Sequence, residues 1–172
     1  MNFIDDVSEM PDVVLVAVDI RSIHNVGSFF RTCDGFGAGL VLTGITPRPN
    51  DNGDDRPPHV RTKLHRDIHK TALGAEDTVK WSYFADSGSA LSSLKDSGYQ
   101  LCAIEQSDDS VDIARLSELN NKVALLVGPE VTGLDSELLE KCDEIYEIPM
   151  SGSKESFNVS VAAAIALYEA SR

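Results

Sequence analysis

A chain of 172 residues, 42% apolar and 25% charged, is long enough to bury the core of one domain without disulfide or metal staples. No stretch nears the roughly 18 apolar residues of a membrane span, and the acidic start Met1–Asp6 lacks the basic region and apolar run of a signal peptide. The net charge of −13 excludes a protein that grips nucleic acid through an all-round basic surface.

Val13 to Val18 is a continuous β-branched apolar run, which predicts a central parallel strand covered on both faces. Asp19 to His24 reads as a loop, with Asn25 capping a helix to about Phe36 whose inward side carries Val26, Phe29, Phe30 and Cys33. Gly35–Gly39 stops that helix and Leu40–Thr43 forms a second strand. The stretch 46–58, with four prolines, predicts an exposed irregular loop of the kind that is often functional, and Val60 to about Ala72 a basic helix. Then follow a short strand at Trp81–Phe84, a helix at Ser87–Ser97 ended by Gly98, and a strand at Tyr99–Ile104. A short helix is expected near Ile113–Leu119 and a second fully buried strand at Val123–Val127. Residues 128–134 form a loop, and Asp135 caps a helix to about Lys141. A half-buried strand at Glu144–Ile148, the Ser-rich loop 149–158 and an Ala-rich apolar helix from Val159 to Leu167 complete the chain. Strands and helices alternating throughout predict one α/β domain over residues 1–172, with a mainly parallel sheet and helices on both faces.

Charge is uneven along the chain. From Arg21 to Lys70 there are eight Lys and Arg, five Asp and all four histidines, so this span is +3 and the remainder −16. The basic Pro-rich loop and helix 46–70 is therefore the expected RNA or phosphate contact, although the same charges would also serve as a solvated face. Cys33, Cys102 and Cys142 are odd in number and far apart, which predicts reduced, buried thiols in a cytoplasmic protein. His65 and His69 share a helix face but lack the Glu of a His-Glu-x-x-His pair, so no metal is expected. Gly35–Gly39 follows a helix and opens a strand, the reverse of a dinucleotide fingerprint, and Gly128–Gly133 lacks a P-loop lysine.

Three loops, each just beyond a predicted strand, carry the remaining polar pattern. They are Asn25-x-Gly27-x-x-x-Arg31-Thr32, Gly128-x-Glu130-x-x-Gly133-Leu134, and Ile148-Pro-Met150 with Ser156-x-Asn158-Val-Ser160. In this order and spacing they resemble the three motifs of the SpoU-type methyltransferases of the SPOUT superfamily, over nearly the whole chain. Pro129 stands where that family often has Asn, and Phe157 where it often has Leu.

The resemblance implies an S-adenosylmethionine-dependent RNA methyltransferase acting on a ribose 2′-hydroxyl of tRNA or rRNA. The absence of an appended RNA-binding segment points to a small target such as a tRNA loop. It also implies a C-terminal deep trefoil knot and a homodimer to which the apolar last helix and Tyr168 contribute. By family position Ile104, Gly128, Ile148, Met150 and Phe157 would contact the cofactor. Arg31, Asn25, Glu130, Ser156 and Asn158 would form the catalytic group, with Arg31 and Asn25 expected at one pocket mouth. Arg31 suits phosphate binding and charge stabilisation better than proton abstraction, because a guanidinium stays protonated. Glu130 could equally lock its loop through an ion pair, and Asn158 could simply cap the last helix. The rival expectations are a catalytically inactive RNA-binding module of the same fold and a flavodoxin-like or Rossmann nucleotide binder. The latter would need a glycine loop after Val18, where Asp19-Ile-Arg-Ser22 stands instead.

Overall fold

The computed structural model describes residues 3–4, 6–51 and 53–172. Seven strands form one sheet: β1 (Val13–Val18), β2 (Gly39–Thr43), β3 (Trp81–Phe84), β4 (Tyr99–Ile104), β5 (Val111–Asp112), β6 (Lys122–Val127) and β7 (Glu144–Glu147). Their spatial order is β3-β2-β1-β6-β4-β7-β5, and every pairing is parallel. The helices are α1 (Ile23–Phe36), α2 (Pro58–Ala72), α3 (Ser87–Asp96), α4 (Ser136–Lys141) and α5 (Val159–Ala170), with a 3-10 helix at Ile113–Glu118 where an ordinary helix is expected. The two-residue strand β5 lies outside the sequence prediction, because a strand that short carries no readable alternation.

The period-2 alternation hidden in the apolar runs sorts the core into two layers. Leu15, Ala17, Leu40, Leu42, Leu125 and Val127 face one side of the sheet, packed with α1, α2, α5 and the 3-10 helix. Val14, Val16, Val18, Val41, Ala124 and Leu126 face the other, packed with α3 and α4. A strand covered on both faces has no polar side to show, which is why β1 and β6 read as unbroken hydrophobic runs. On α1 the inward residues Val26, Phe29, Phe30 and Cys33 are fully buried, and Phe30 meets Trp81 edge-on at a centroid separation of 6.0 Å.

This layering places two crevices. β1 feeds α1 and β4 leads to the 3-10 helix, both on the first face, whereas β6, lying between them, feeds α4 on the second. Neighbouring strands whose connections depart to opposite faces leave an opening beyond their C-terminal ends, where open α/β sheets hold ligands. The sheet has such an opening on each side of β6.

Two local expectations are corrected. Asn25 does not cap α1: Ser22 does, its hydroxyl accepting from the Asn25 N–H at 3.2 Å, and Asn25 lies inside the first turn. Two polar residues three apart compete for that role, and the earlier one wins because helix geometry already holds at Ile23. The loop before α2 is irregular but not exposed throughout. Asp54 is 8% exposed and accepts from Arg56, with Arg48 3.8 Å away. Arg56 also donates to the Arg48 and Pro49 carbonyls at 3.2 and 2.8 Å, Arg48 to Asp51 at 3.0 Å, and Arg61 to the Asp54 carbonyl at 3.1 Å. Arg48 stacks 3.8 Å over the Tyr83 ring, which pins the loop to the β3 edge of the sheet.

Candidate active site

The loops after β4, β6 and β7 surround a cavity of about 290 Å³, near the lower end of the range for ligand pockets, about 300–1,000 Å³. Its walls include all five expected cofactor residues, Ile104, Gly128, Ile148, Met150 and Phe157, together with Val159 and Ala162 at the start of α5. Gly128 is needed by the turn itself. A Cβ there would sit 2.7 Å from the Leu134 nitrogen and 2.8 Å from the Gly133 carbonyl carbon, both main-chain atoms that cannot swing aside. The β6 loop therefore folds tightly back on itself and turns its main chain toward the cavity.

Glu130, on that loop, joins the three motifs. Its Oε1 accepts from the Asn25 Nδ2, at the start of α1, and from the Asn158 Nδ2 at 3.5 Å, at the start of α5. Asn25 is 4% exposed, so the carboxylate satisfies an amide that would otherwise lie buried without a partner. Asn158 also caps α5 as expected, its Oδ1 accepting from the Ser160 N–H at 2.9 Å. For Glu130 the expected loop-locking contact exists, made to two amides rather than to a cation. Ser156 lines the cavity beside them and is exposed.

Arg31 is not brought to this cavity within one chain. It is six residues from Asn25, and at 3.6 residues per turn that puts it about 120° round the helix. It lies exposed in a shallow cleft with His24, Ser28, Thr32, Lys70 and Thr71, and makes no ion pair or side-chain hydrogen bond among the described residues. Within the same motif Gly27 has a packing reason. A Cβ there would overlap the Thr71 hydroxyl at 1.9 Å and the Ile68 carbonyl at 2.7 Å, so Gly27 lets α1 and α2 touch.

Two functional candidates lie outside the motifs. Glu105, the residue after β4, accepts from the Leu134 N–H at 3.1 Å and from the Gln106 N–H at 3.1 Å, clamping the β6 loop to the β4 end. Gln106 in turn donates to the Glu155 carbonyl at 2.5 Å, tying the β7–α5 loop to the same point. Their position just beyond a buried strand is the only signal the sequence holds for them.

The sequence pattern of the SpoU rRNA Methylase family matches residues 12–168. The chain belongs to that family. Among relatives of this SpoU chain, the 23S rRNA (guanosine-2′-O-)-methyltransferase RlmB of Burkholderia sp is 35% identical over 160 residues, covering 92% of this chain and 59% of that protein. The tRNA (guanosine(18)-2′-O)-methyltransferase of Escherichia coli K12 is 31% identical over 162 residues, covering 94% and 64% respectively. The chain thus spans about three fifths of the length of these relatives. Among solved structures, the SpoU methyltransferase AviRb from Streptomyces viridochromogenes in complex with AdoMet superposes with a TM-score of 0.74 at 26% identity, over 97% of this chain and 64% of that one. The A. aeolicus TrmH/SpoU tRNA modifying enzyme gives 0.73 at 27% identity, over 93% and 74%.

The Cys102 and Cys142 thiols are pushed up to about 12 and about 11, in each case first by burial, and Cys33 further still by burial alone. All three are free. No helix among the described residues is long and apolar enough to cross a membrane.

Proposed function

We propose that this chain moves a methyl group from S-adenosylmethionine to a ribose 2′-hydroxyl of tRNA or rRNA. The observation that carries the reading is the Glu130 carboxylate, held by Asn25 and Asn158 at the wall of a cavity that also presents the apolar side chains of Ile104, Ile148, Met150 and Phe157, the tightly turned main chain at Gly128, and the polar groups Glu105, Gln106 and Ser156. Such walls fit an adenosine and a thioether chain, with Ile104, Ile148, Met150 and Phe157 against the apolar surface and the loops after β4 and β6 offering main-chain donors and acceptors. The cofactor, when bound, supplies an electrophilic methyl group on a sulfonium.

The chain's own residues have to align the hydroxyl and make its oxygen more nucleophilic. Glu130 is fixed from two sides, and with Ser156 and Asn158 it orients the ribose. Arg31 holds the adjacent phosphate and stabilises negative charge on the ribose oxygen as that oxygen takes the methyl group and its proton passes to bulk water. Its distance from the cavity in one chain favours a homodimer in which Arg31 works at the partner's site. The exposed apolar groups Phe36, Val161 and Tyr168, with Phe36 and Tyr168 in edge contact at 6.3 Å, supply a surface for that pairing. RNA would approach over α2, where His59, Lys63, Arg66 and Lys70 remain at the surface while Arg48, Arg56 and Arg61 hold the loop before it. The bonds from Gln106 to Glu155 and from Asn158 to Glu130 support a knotted path for the segment after β7. A cytoplasmic setting accords with three free thiols.

Calorimetry with S-adenosylhomocysteine, NAD and FMN tests the reading. Binding is expected for the first alone, and is lost in Gly128→Val. Binding of NAD or FMN in its place would favour a nucleotide-binding protein of another kind.

A further inference from the structure

The outer face of α2 consists of His59, Thr62, Lys63, Arg66, His69 and Lys70, all exposed, with no carboxylate among them. His59, Lys63, Arg66 and Lys70 recur at intervals of four, three and four, which sets them in a row along one side of the helix. From His59 to Lys70 that row rises about 16 Å at 1.5 Å per residue. α2 carries no Phe, Tyr or Trp, and the His69 ring is held by the buried Glu76 at 2.5 Å, so the face offers no broad ring on which an unstacked base could lie. The row is firmly backed. Ile68 and Thr71 lie against Gly27 of α1, Thr71 donates to the His24 carbonyl at 3.2 Å, and Arg61 ties the first turn to the Asp54 carbonyl at 3.1 Å. Its cations can change partners. Lys63 has no hydrogen bond or ion pair among the described residues, and Arg66 and Lys70 share one oxygen of Asp67, at 3.7 and 2.8 Å. Exposed pairs of this kind contribute little, so a phosphate can take both cations from Asp67.

We propose that the outer face of α2 docks on the phosphate backbone of an RNA duplex, a stem that flanks the target nucleotide. The inference rests on the RNA methyltransferase reading above and adds a second contact, outside the cofactor cavity. Single strands are held by grooves that pair cations with stacking rings, whereas duplexes are held by their shape and through phosphate and 2′-hydroxyl groups. A straight row of cations without such rings fits the duplex. Lys63, Arg66 and Lys70 supply the phosphate contacts, and Thr62 places a hydroxyl among them. The row also has a direction. Its Lys70 end lines the cleft that holds Arg31, and its His59 end lies farthest from it, so a stem laid along α2 leads its terminal nucleotides to Arg31. The charge distribution favours this approach, because the span 21–70 is +3 and the remainder, at −16, repels a polyanion.

The test is RNA binding by the full chain without cofactor, followed by fluorescence anisotropy, with a labelled RNA hairpin and an unstructured single strand of equal length. The hairpin is expected to bind several-fold tighter. The double variant Lys63→Ala, Arg66→Ala changes two exposed positions to a residue that favours helix. It is expected to weaken hairpin binding about 10- to 100-fold at about 0.1 M salt, and to lower the slope of log affinity against log salt by about 2. Its S-adenosylhomocysteine affinity should be unchanged by calorimetry, since neither residue lines the cofactor cavity. Equal or tighter binding of the single strand, or a double variant that binds the hairpin as the wild type does, overturns the proposal while leaving methyl transfer in place. Hairpin binding by a wild type that fails to bind S-adenosylhomocysteine would keep the duplex contact and remove the methyltransferase reading.

Discussion

The Asn25 amide donates to the Glu130 carboxylate across 105 residues of sequence, joining the first helix to the loop after the sixth strand. Neither side chain could keep this geometry alone. The carboxylate needs a donor to hold one rotamer, and the amide, 4% exposed, needs an acceptor. Glu130→Ala and Asn25→Ala are each expected to lower kcat for methyl transfer about 100-fold, the usual cost of an angstrom-scale misalignment. S-adenosylhomocysteine affinity should stay within a few-fold. The double variant should cost little more than either single one, because both remove the same contact.

Glu105 supports the cofactor cavity from outside the motifs. Its carboxylate bonds to the Leu134 and Gln106 N–H groups bridge the ends of β4 and β6, and hydrogen bonds to a charged group contribute about 1.5–3 kcal/mol each. Glu105→Ala frees the loop and should weaken S-adenosylhomocysteine binding about 10-fold or more, read by calorimetry. Glu105→Gln, which keeps an acceptor, should recover part of it.

Asp54 gives the protein a pH signature unrelated to catalysis. The hydrogen bonds from Arg56 hold its carboxyl below the usual aspartate range, with the nearby Arg48 charge adding to the effect. A depressed folded-state value means stability that is present above the unfolded value of about 3.9 and lost as pH falls below it. Asp54→Asn should cost about 1–2 kcal/mol at pH 7, or about 2–8 °C in Tm, with the guanidinium groups partly solvated. Thermal melts of the two proteins should converge as the pH falls below the ordinary aspartate range.

Arg31→Ala should abolish most methyl transfer yet leave cofactor binding intact. If Arg31 serves the partner's site, mixing Arg31→Ala protein with Glu130→Ala protein restores activity through mixed dimers with one whole site. Mixtures as inactive as their components would place Arg31 at its own chain's cavity instead.

Much of this arrangement was legible in the sequence, and what was not has identifiable causes. The five positions that the family resemblance marked for the cofactor line one cavity: Ile104 ends β4, Gly128 follows β6, and Ile148, Met150 and Phe157 lie on the segment between β7 and α5. The strands themselves were plain wherever burial on both faces forbids polar residues, as in β1 and β6. Asn25 misled because Ser22 and Asn25 are both good caps and only the fold decides which one caps. Arg31 misled because six residues of helix turn a side chain well away from its neighbour. Glu105 and the Arg56–Asp54 contact were invisible, since each depends on a tertiary or loop geometry that no local pattern encodes.

The most direct measurement is transfer of tritiated methyl from S-adenosylmethionine to RNA lacking the modification, followed by digestion to nucleosides. The account predicts label in a 2′-O-methylnucleoside, and its disappearance with Glu130→Ala. Label on a base, or none in RNA from which the modification is absent, would contradict it.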